Sequence, residues 1–204
     1  MAIDAVLCDL GNVAVFCDNE KTVRAFAGIS GKSEDAVRDI VFRSGVGLFH
    51  RYESGDISSE QFRRSICARL GLTKREIPRN ETLFEAWTDV FTPNEPVFAR
   101  LRTLWSRGAV ITAVSNIDEM RHKKLERLGH LAVFDYVVMS WIEQIRKPSE
   151  ELMVRALDRS GAQAERTIFV DDLAENLVPE AKLGIRTHEY VTIEAFDVFL
   201  SSCA

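Results

Sequence analysis

The chain has 204 residues, 46% hydrophobic and 28% charged, a composition that excludes wholesale disorder. Its 26 basic and 31 acidic side chains give a net charge of −5 with no basic stripe, so no nucleic-acid partner is expected. No apolar run approaches the roughly 20 residues that span a bilayer, so no membrane partner is expected either. The four cysteines, Cys8, Cys17, Cys67 and Cys203, contain no CxxC pair, which argues against a zinc knuckle or a secreted disulfide framework. The N-terminal segment lacks a basic region and is interrupted by Asp4 and Asp9, unlike a signal peptide, so a soluble cytoplasmic protein is expected.

In chain order, the first clear element is the apolar run Ala5-Val6-Leu7-Cys8, which stops at Asp9 and reads as a strand buried on both faces. From Asp18 to Thr92 there is no strand-like run. That stretch carries amphipathic helical patterns at Val37-Ile40-Val41 and Phe62-Ile66-Leu70, with Ser58 and Gln61 spaced as a capping box, and Gly45, Gly47, Gly55 and Gly71 as punctuation. Strand-like runs then recur at Ala109 to Val114, Val133 to Met139 and Thr167 to Val170, with a weaker one at Ile185 to Val191. Helical patterns lie between them, at Val97-Leu101-Leu104-Trp105 and Leu152-Leu157, and Gly108, Gly129, Gly161 and Gly184 stand where helix C-caps want glycine. The alternation predicts an α/β fold, a doubly wound parallel sheet of the Rossmann-like kind. Residues 1–17 and 93–204 form this core, and residues 18–92 are an inserted, small α-helical unit.

Ligands of such sheets bind at the carboxyl ends of the strands. There stand Asp9 after the first strand, Ser115-Asn116 after the second, Lys147-Pro148 in the loop after the third, and Asp171-Asp172 after the fourth. A carboxylate such as Asp9 can attack phosphorus and form an aspartyl phosphate. Two like unit charges 4 Å apart repel by roughly 4 kcal/mol at an effective dielectric near 20, so attack on a phosphate dianion needs a cation. Mg²⁺ suits one or two carboxylates plus a substrate phosphate. Asp172 can supply the second carboxylate, Lys147 and the Ser115 hydroxyl can bind the other phosphoryl oxygens, and Asp171 can keep the Lys147 amine charged and in place.

Taken in order, DLGNV at Asp9 to Val13, the strand ending in Ser115-Asn116, RKP at Arg146 to Pro148 and DDLAEN at Asp171 to Asn176 resemble the four motifs of the haloacid dehalogenase-like (HAD) hydrolases. The helical insertion after the first motif resembles that family's small cap, and the likeness covers the whole chain. It implies a phosphatase acting on a small phosphorylated substrate, with Asp9 as nucleophile, Asp9 and Asp172 with the backbone carbonyl of Gly11 around Mg²⁺, and Ser115, Asn116 and Lys147 on the phosphate. Catalytic roles fall on Asp9, Lys147 and Asp171. One position departs: Gly11 stands where most family phosphatases carry a second Asp, the general acid and base. DLGNV, the segment His50-Arg51-Tyr52-Glu53-Ser54-Gly55 and RKP are similar to a subgroup that includes an α-D-glucose-1-phosphate phosphatase. Without an acid at position 11, leaving groups that tolerate charge, such as an anomeric oxygen, are favoured.

Two other readings stay open: a dehalogenase displacing halide from carbon with the same aspartate, and a non-catalytic phosphometabolite-binding protein. The acidic pair argues against the first, because it needs a cation beside the nucleophile. A receiver domain is excluded because its acidic pair precedes the phosphoacceptor. Cys8 reads as a buried small residue, Trp87 and Trp105 as packing residues, Trp141 as packing or lining the site, and Arg121-His122-Lys123-Lys124 as a solvated helix face. His50, His122, His130 and His188 lack metal-ligand spacing, and Arg43, His50 and Arg51 are the insertion's candidates for reaching substrate hydroxyls. A monomer or homodimer is expected.

Overall fold

A computed structural model describes residues 3–43 and 46–203; the punctuating glycine at position 45 lies outside the described residues. Five parallel strands form the main sheet: β1 (Ala5–Cys8), β4 (Val110–Ser115), β5 (Tyr136–Met139), β6 (Thr167–Asp171) and β7 (Arg186–Glu189), in the order β5-β4-β1-β6-β7. The two short strands β2 (Val15–Cys17) and β3 (Phe91–Pro93) pair antiparallel as a separate ribbon. That ribbon corrects the expectation of no strand up to Thr92. Three residues per strand are too few for an alternation to stand out in the sequence.

The central strands are apolar throughout because both faces are covered. Val6 and Cys8 of β1 point to one side, with Ile111, Ala113, Ile168 and Val170 of their neighbours. There they meet Val97 and Leu101 of α6 (Glu95–Ser106), Leu125 of α7 (Glu119–Arg127) and Phe196 of α11 (Ile193–Ser202). Leu7 points to the other side, with Val114, Val138 and Phe169, against Leu152, Met153 and Ala156 of α9 (Glu150–Ser160). Each fully buried leucine of this kind contributes about 1.5–3 kcal/mol relative to exposure. The core is therefore the predicted doubly wound α/β layer structure, with α8 (Ser140–Glu143) and α10 (Val178–Lys182) completing it.

Helices α1 (Asn19–Ser30), α2 (Glu34–Arg38), α3 (Val46–Glu53), α4 (Ser59–Arg69) and α5 (Asn80–Thr88), with a π-helical turn at Asp39–Arg43, gather around their own apolar cluster. Its members include Val23, Phe26, Val37, Tyr52, Phe62, Ile66, Leu83 and Trp87. The Ser58–Gln61 capping box at the start of α4 is formed, with both reciprocal bonds present. No helix among the described residues is long and apolar enough to cross a membrane.

The helices meet the core at a few polar points. Trp87 Nε1 donates to Asp118 Oδ2 at 3.0 Å, and Asp118 Oδ1 accepts from the backbone of Arg121 at 3.0 Å as the N-cap of α7. The Arg121 guanidinium lies 4.4 Å above the Trp87 ring and donates to Asn19 Oδ1 at 2.7 Å. Arg121 and His122 are thus buried, at 6% and 5% exposure, which corrects the reading of this run as a solvated face. Trp141 donates to His122 Nδ1 at 3.0 Å. Trp105, read as a packing residue, is 56% exposed and donates to Asp135 on the surface.

Candidate active site

The strand registers bring the sequence-selected residues to one sheet edge. Cys8 is level with Val170 on one side and Ala113 on the other, so Asp9 and Asp171 leave their strands side by side, and the Asp9 amide donates to the Val170 carbonyl at 2.9 Å. Ser115 ends β4 level with Met139, the end of β5. Lys147, in the loop beyond β5, reaches across the edge to the centre of this group.

Lys147 Nζ lies 2.7 Å from Asp9 Oδ1 and 2.5 Å from Asp171 Oδ2, and all three residues are buried. Burial alone pulls the Lys147 amine down; the two carboxylates outweigh it and hold the amine above its ordinary value, so it is charged. Burial pushes the Asp9 carboxyl up to about 6, against the opposing pull of Lys147, and Asp171 and Asp172 push the same way as burial. At neutral pH the Asp9 carboxyl is therefore mainly ionised. The Cys8 thiol next to it is raised by burial and by Asp9, which makes it inert as a nucleophile.

The remaining contacts fix these groups in place. Asp171 Oδ1 accepts from the Leu173 amide and from Asn176 Nδ2, both at 2.9 Å, so both of its oxygens are occupied. The Asn116 side chain and the Lys147 backbone exchange two bonds, Nδ2 to the Lys147 carbonyl at 2.9 Å and the Lys147 amide to Oδ1 at 2.8 Å. Asn116 therefore positions Lys147, and the second hydrogen of its amide nitrogen remains for a ligand. Ser115 is 3% exposed, and its hydroxyl has no hydrogen-bond partner among the described residues. Asn12 Nδ2 donates to Asp172 Oδ2 at 3.1 Å, and Asn12 itself holds a positive φ of 54°. Asparagine tolerates that conformation better than most residues. Neither Asn12 nor Asn176 was singled out from sequence, although both lie inside the motifs quoted for Asp9 and Asp171.

Asp9, Asp171 and Asp172 each offer an oxygen within 4.8 Å of the others. Three carboxylates facing one ammonium leave two negative charges unbalanced, and an all-oxygen donor set is what a hard divalent cation takes. With Asp171 spent on Lys147, Leu173 and Asn176, Asp9 and Asp172 are the residues that could hold Mg²⁺. Gly11 stands beside them: a Cβ built on it would lie 3.9 Å from Asp9 Oδ2, an ordinary contact. The cavity of about 290 Å³ lined by Phe26, Phe62, Ile66, Leu83 and Trp87 contains none of these residues; it lies within the helical cluster.

The fold and the cluster define a hydrolase of known type. The model of the haloacid dehalogenase-like hydrolases matches residues 3–179, and the chain belongs to that family. It is 26% identical over 138 residues to sesquiterpene phosphatase astK of Aspergillus oryzae, covering 67% of this chain and 69% of that protein. The chain spans less than two thirds of the length of three other curated proteins that it matches. Among solved structures, a predicted HAD-like hydrolase from Porphyromonas gingivalis superposes with a TM-score of 0.78 at 23% identity, covering 98% of each chain. A HAD family enzyme from Bacteroides thetaiotaomicron, crystallised with magnesium and inorganic phosphate, gives 0.76 at 22% identity over 92% of this chain and 93% of that one. At those identities the structural likeness establishes the fold.

Proposed function

We propose that this chain is a Mg²⁺-dependent phosphatase that hydrolyses a small phosphorylated metabolite, a sugar phosphate such as glucose 1-phosphate, through an aspartyl-phosphate intermediate. The observation that carries the reading is the buried Asp9–Lys147–Asp171 group with Asp172 beside it. In this proposal an Asp9 oxygen attacks phosphorus, the bond from phosphorus to the ester oxygen breaks and the alcohol departs, while Lys147 and the Ser115 hydroxyl hold the phosphoryl oxygens in place. Asp171 keeps Lys147 charged and aimed. Asp9, Asp172 and the Gly11 carbonyl would hold Mg²⁺, which would supply charge compensation between carboxylate and phosphate. Water then cleaves the acyl phosphate, returning Asp9 and releasing inorganic phosphate.

Residues 18–92 act in this reading as a cap over the sheet edge, and 1–17 with 93–204 as the catalytic core. Support for phosphate chemistry comes from the relatives: one is named a phosphatase, and one neighbour was crystallised with magnesium and phosphate. The sugar-phosphate class rests on the DLGNV and RKP segments together with His50 to Gly55. The test is phosphate release from a panel of sugar phosphates with Mg²⁺ and with EDTA, alongside halide release from 2-haloacids. Turnover that EDTA abolishes is expected. Halide release would favour the dehalogenase, and neither activity would favour a binding protein.

A further inference from the structure

Among the described residues, the helical insertion carries one buried acidic side chain, Glu53, which is 7% exposed and ends α3. Every anchor that holds it comes from the loops at the carboxyl edge of the sheet. Its carbonyl accepts from Ser140 Oγ at 2.6 Å, and that hydroxyl in turn accepts from the amide of Ile117, the residue after Asn116, at 3.0 Å. Its Oε2 accepts from Nη2 of Arg146, the residue before Lys147, at 2.9 Å. Two residues on, Gly55 packs so closely that a Cβ there would stand 2.3 Å from the Trp141 carbonyl oxygen. No hydrogen bond reaches Oε1 among the described residues.

Burying an acid is costly unless it is paired, and here one oxygen is paired, with the residue before Lys147, while the other has no hydrogen-bond partner among the described residues. In an in-line displacement the leaving oxygen lies on the far side of phosphorus from the attacking one. Arg146 and Ile117 adjoin Lys147 and Asn116, the groups proposed to hold the phosphate, and through them Glu53 is the buried acid of the insertion tied to that edge. Gly11 offers no proton to the leaving oxygen.

We propose that Glu53 is the acid and base of the reaction, donating a proton from its carboxyl to the leaving oxygen in place of a side chain at position 11. The inference rests on the phosphatase reading above. As Asp9 Oδ bonds to phosphorus, the bond from phosphorus to the ester oxygen breaks and its electron pair takes the Glu53 proton, leaving an alcohol and a Glu53 carboxylate paired with Arg146. That carboxylate then takes a proton from the water that attacks the acyl phosphate, which restores both residues and releases inorganic phosphate. The charged and titratable groups around Glu53 are Arg146, Arg121, Asp118 and Cys17 from the core side and His50 on its own helix. Burial pushes the carboxyl up to about 7, with Arg146 opposing, a range suited to giving and taking a proton near neutrality. With such an acid present, the bias toward anomeric leaving groups expected from Gly11 alone should be weak in the wild type and emerge when Glu53 is lost.

The test compares kcat/KM for ethyl phosphate, whose alkoxide needs a proton, with 4-nitrophenyl phosphate, whose phenolate leaves unaided. In Glu53→Gln the ethyl-to-nitrophenyl ratio should fall by about 10²–10⁴-fold, and Gly11→Asp in the same background should recover part of it. In the wild type the ratio should decline as pH rises above about 7, and Glu53→Gln should flatten that decline. Glu53→Asp, which keeps the carboxyl on a shorter stem, should retain the pH-dependent ratio. A ratio unmoved by Glu53→Gln, whatever the absolute loss, overturns the inference and leaves the phosphatase reading standing. A wild type that hydrolyses neither ester overturns the phosphatase reading itself.

Discussion

Replacing Lys147 by Met tests the charge arrangement at the centre of the site. The substitution keeps the aliphatic stem, which is 1% exposed, and removes the one ammonium lying 2.7 Å from Asp9 and 2.5 Å from Asp171. Two carboxylates then face each other in the interior, with Asp171 fully buried and Asp9 6% exposed. Removing one partner of a buried ion pair costs about 3–5 kcal/mol, against a total stability of about 5–15 kcal/mol for a typical domain. In EDTA, Lys147→Met should therefore unfold in urea with a free energy lower by about 3–5 kcal/mol than the wild type. Ligand linkage gives about 2.7 kcal/mol of stabilisation at a concentration of 100 times Kd. The variant's site has one more unbalanced negative charge, so its Mg²⁺ affinity, and the stability gained at a given Mg²⁺ concentration, should exceed the wild type's. Phosphate release should be lost in both conditions. A loss in EDTA below about 1 kcal/mol, or an equal gain from Mg²⁺ in both proteins, would refute the reasoning, because a well-solvated lysine behaves that way.

Two more predictions follow from particular contacts. Gly55→Ala places a methyl group 2.3 Å from the Trp141 carbonyl at a φ of 74°, so strain and overpacking together should cost about 2–4 kcal/mol in urea unfolding and displace the end of α3, lowering kcat; a neutral effect on both would contradict the close packing. Asp9 has a folded value of about 6 against an ordinary 3.8, so its protonated form stabilises the fold at low pH and that contribution is lost as pH rises through about 6. Measured in EDTA, Asp9→Asn should gain stability over the wild type by about 2 kcal/mol between pH 4 and pH 7, and a difference that runs the other way would show that Lys147 dominates.

The parts of this molecule legible in its sequence are those whose cause is local. A four-residue apolar run ending in Asp9 announces β1 because a strand covered on both faces has nothing polar to show, and a Ser58-to-Gln61 spacing is enough to make a capping box. The four strand-end groups were legible for the same reason, since parallel topology sends every strand's carboxyl end to one edge. Arg121 and His122 were misread because a basic run looks solvated; their partners Trp87, Asp118 and Trp141 lie outside the run, and Trp87 is 34 residues from Arg121. Glu53 looks in the sequence like its neighbours His50 and Arg51, yet it is buried and they are exposed. Its burial depends on Ser140 and Arg146, 87 and 93 residues away, and the one local signal was a glycine two positions later that adopts a φ of 74°. The β2–β3 ribbon depends on pairing between segments separated by the whole insertion.

The central claim is that Asp9 becomes covalently phosphorylated. Its most direct measurement is peptide mass mapping after a rapid acid quench of the enzyme turning over a sugar phosphate. The account predicts a phosphoryl group on the peptide carrying Asp9, present with Mg²⁺, absent with EDTA and absent in Asp9→Asn. Turnover by Asp9→Asn at the wild-type rate, with no phosphorylated peptide in either protein, would contradict it.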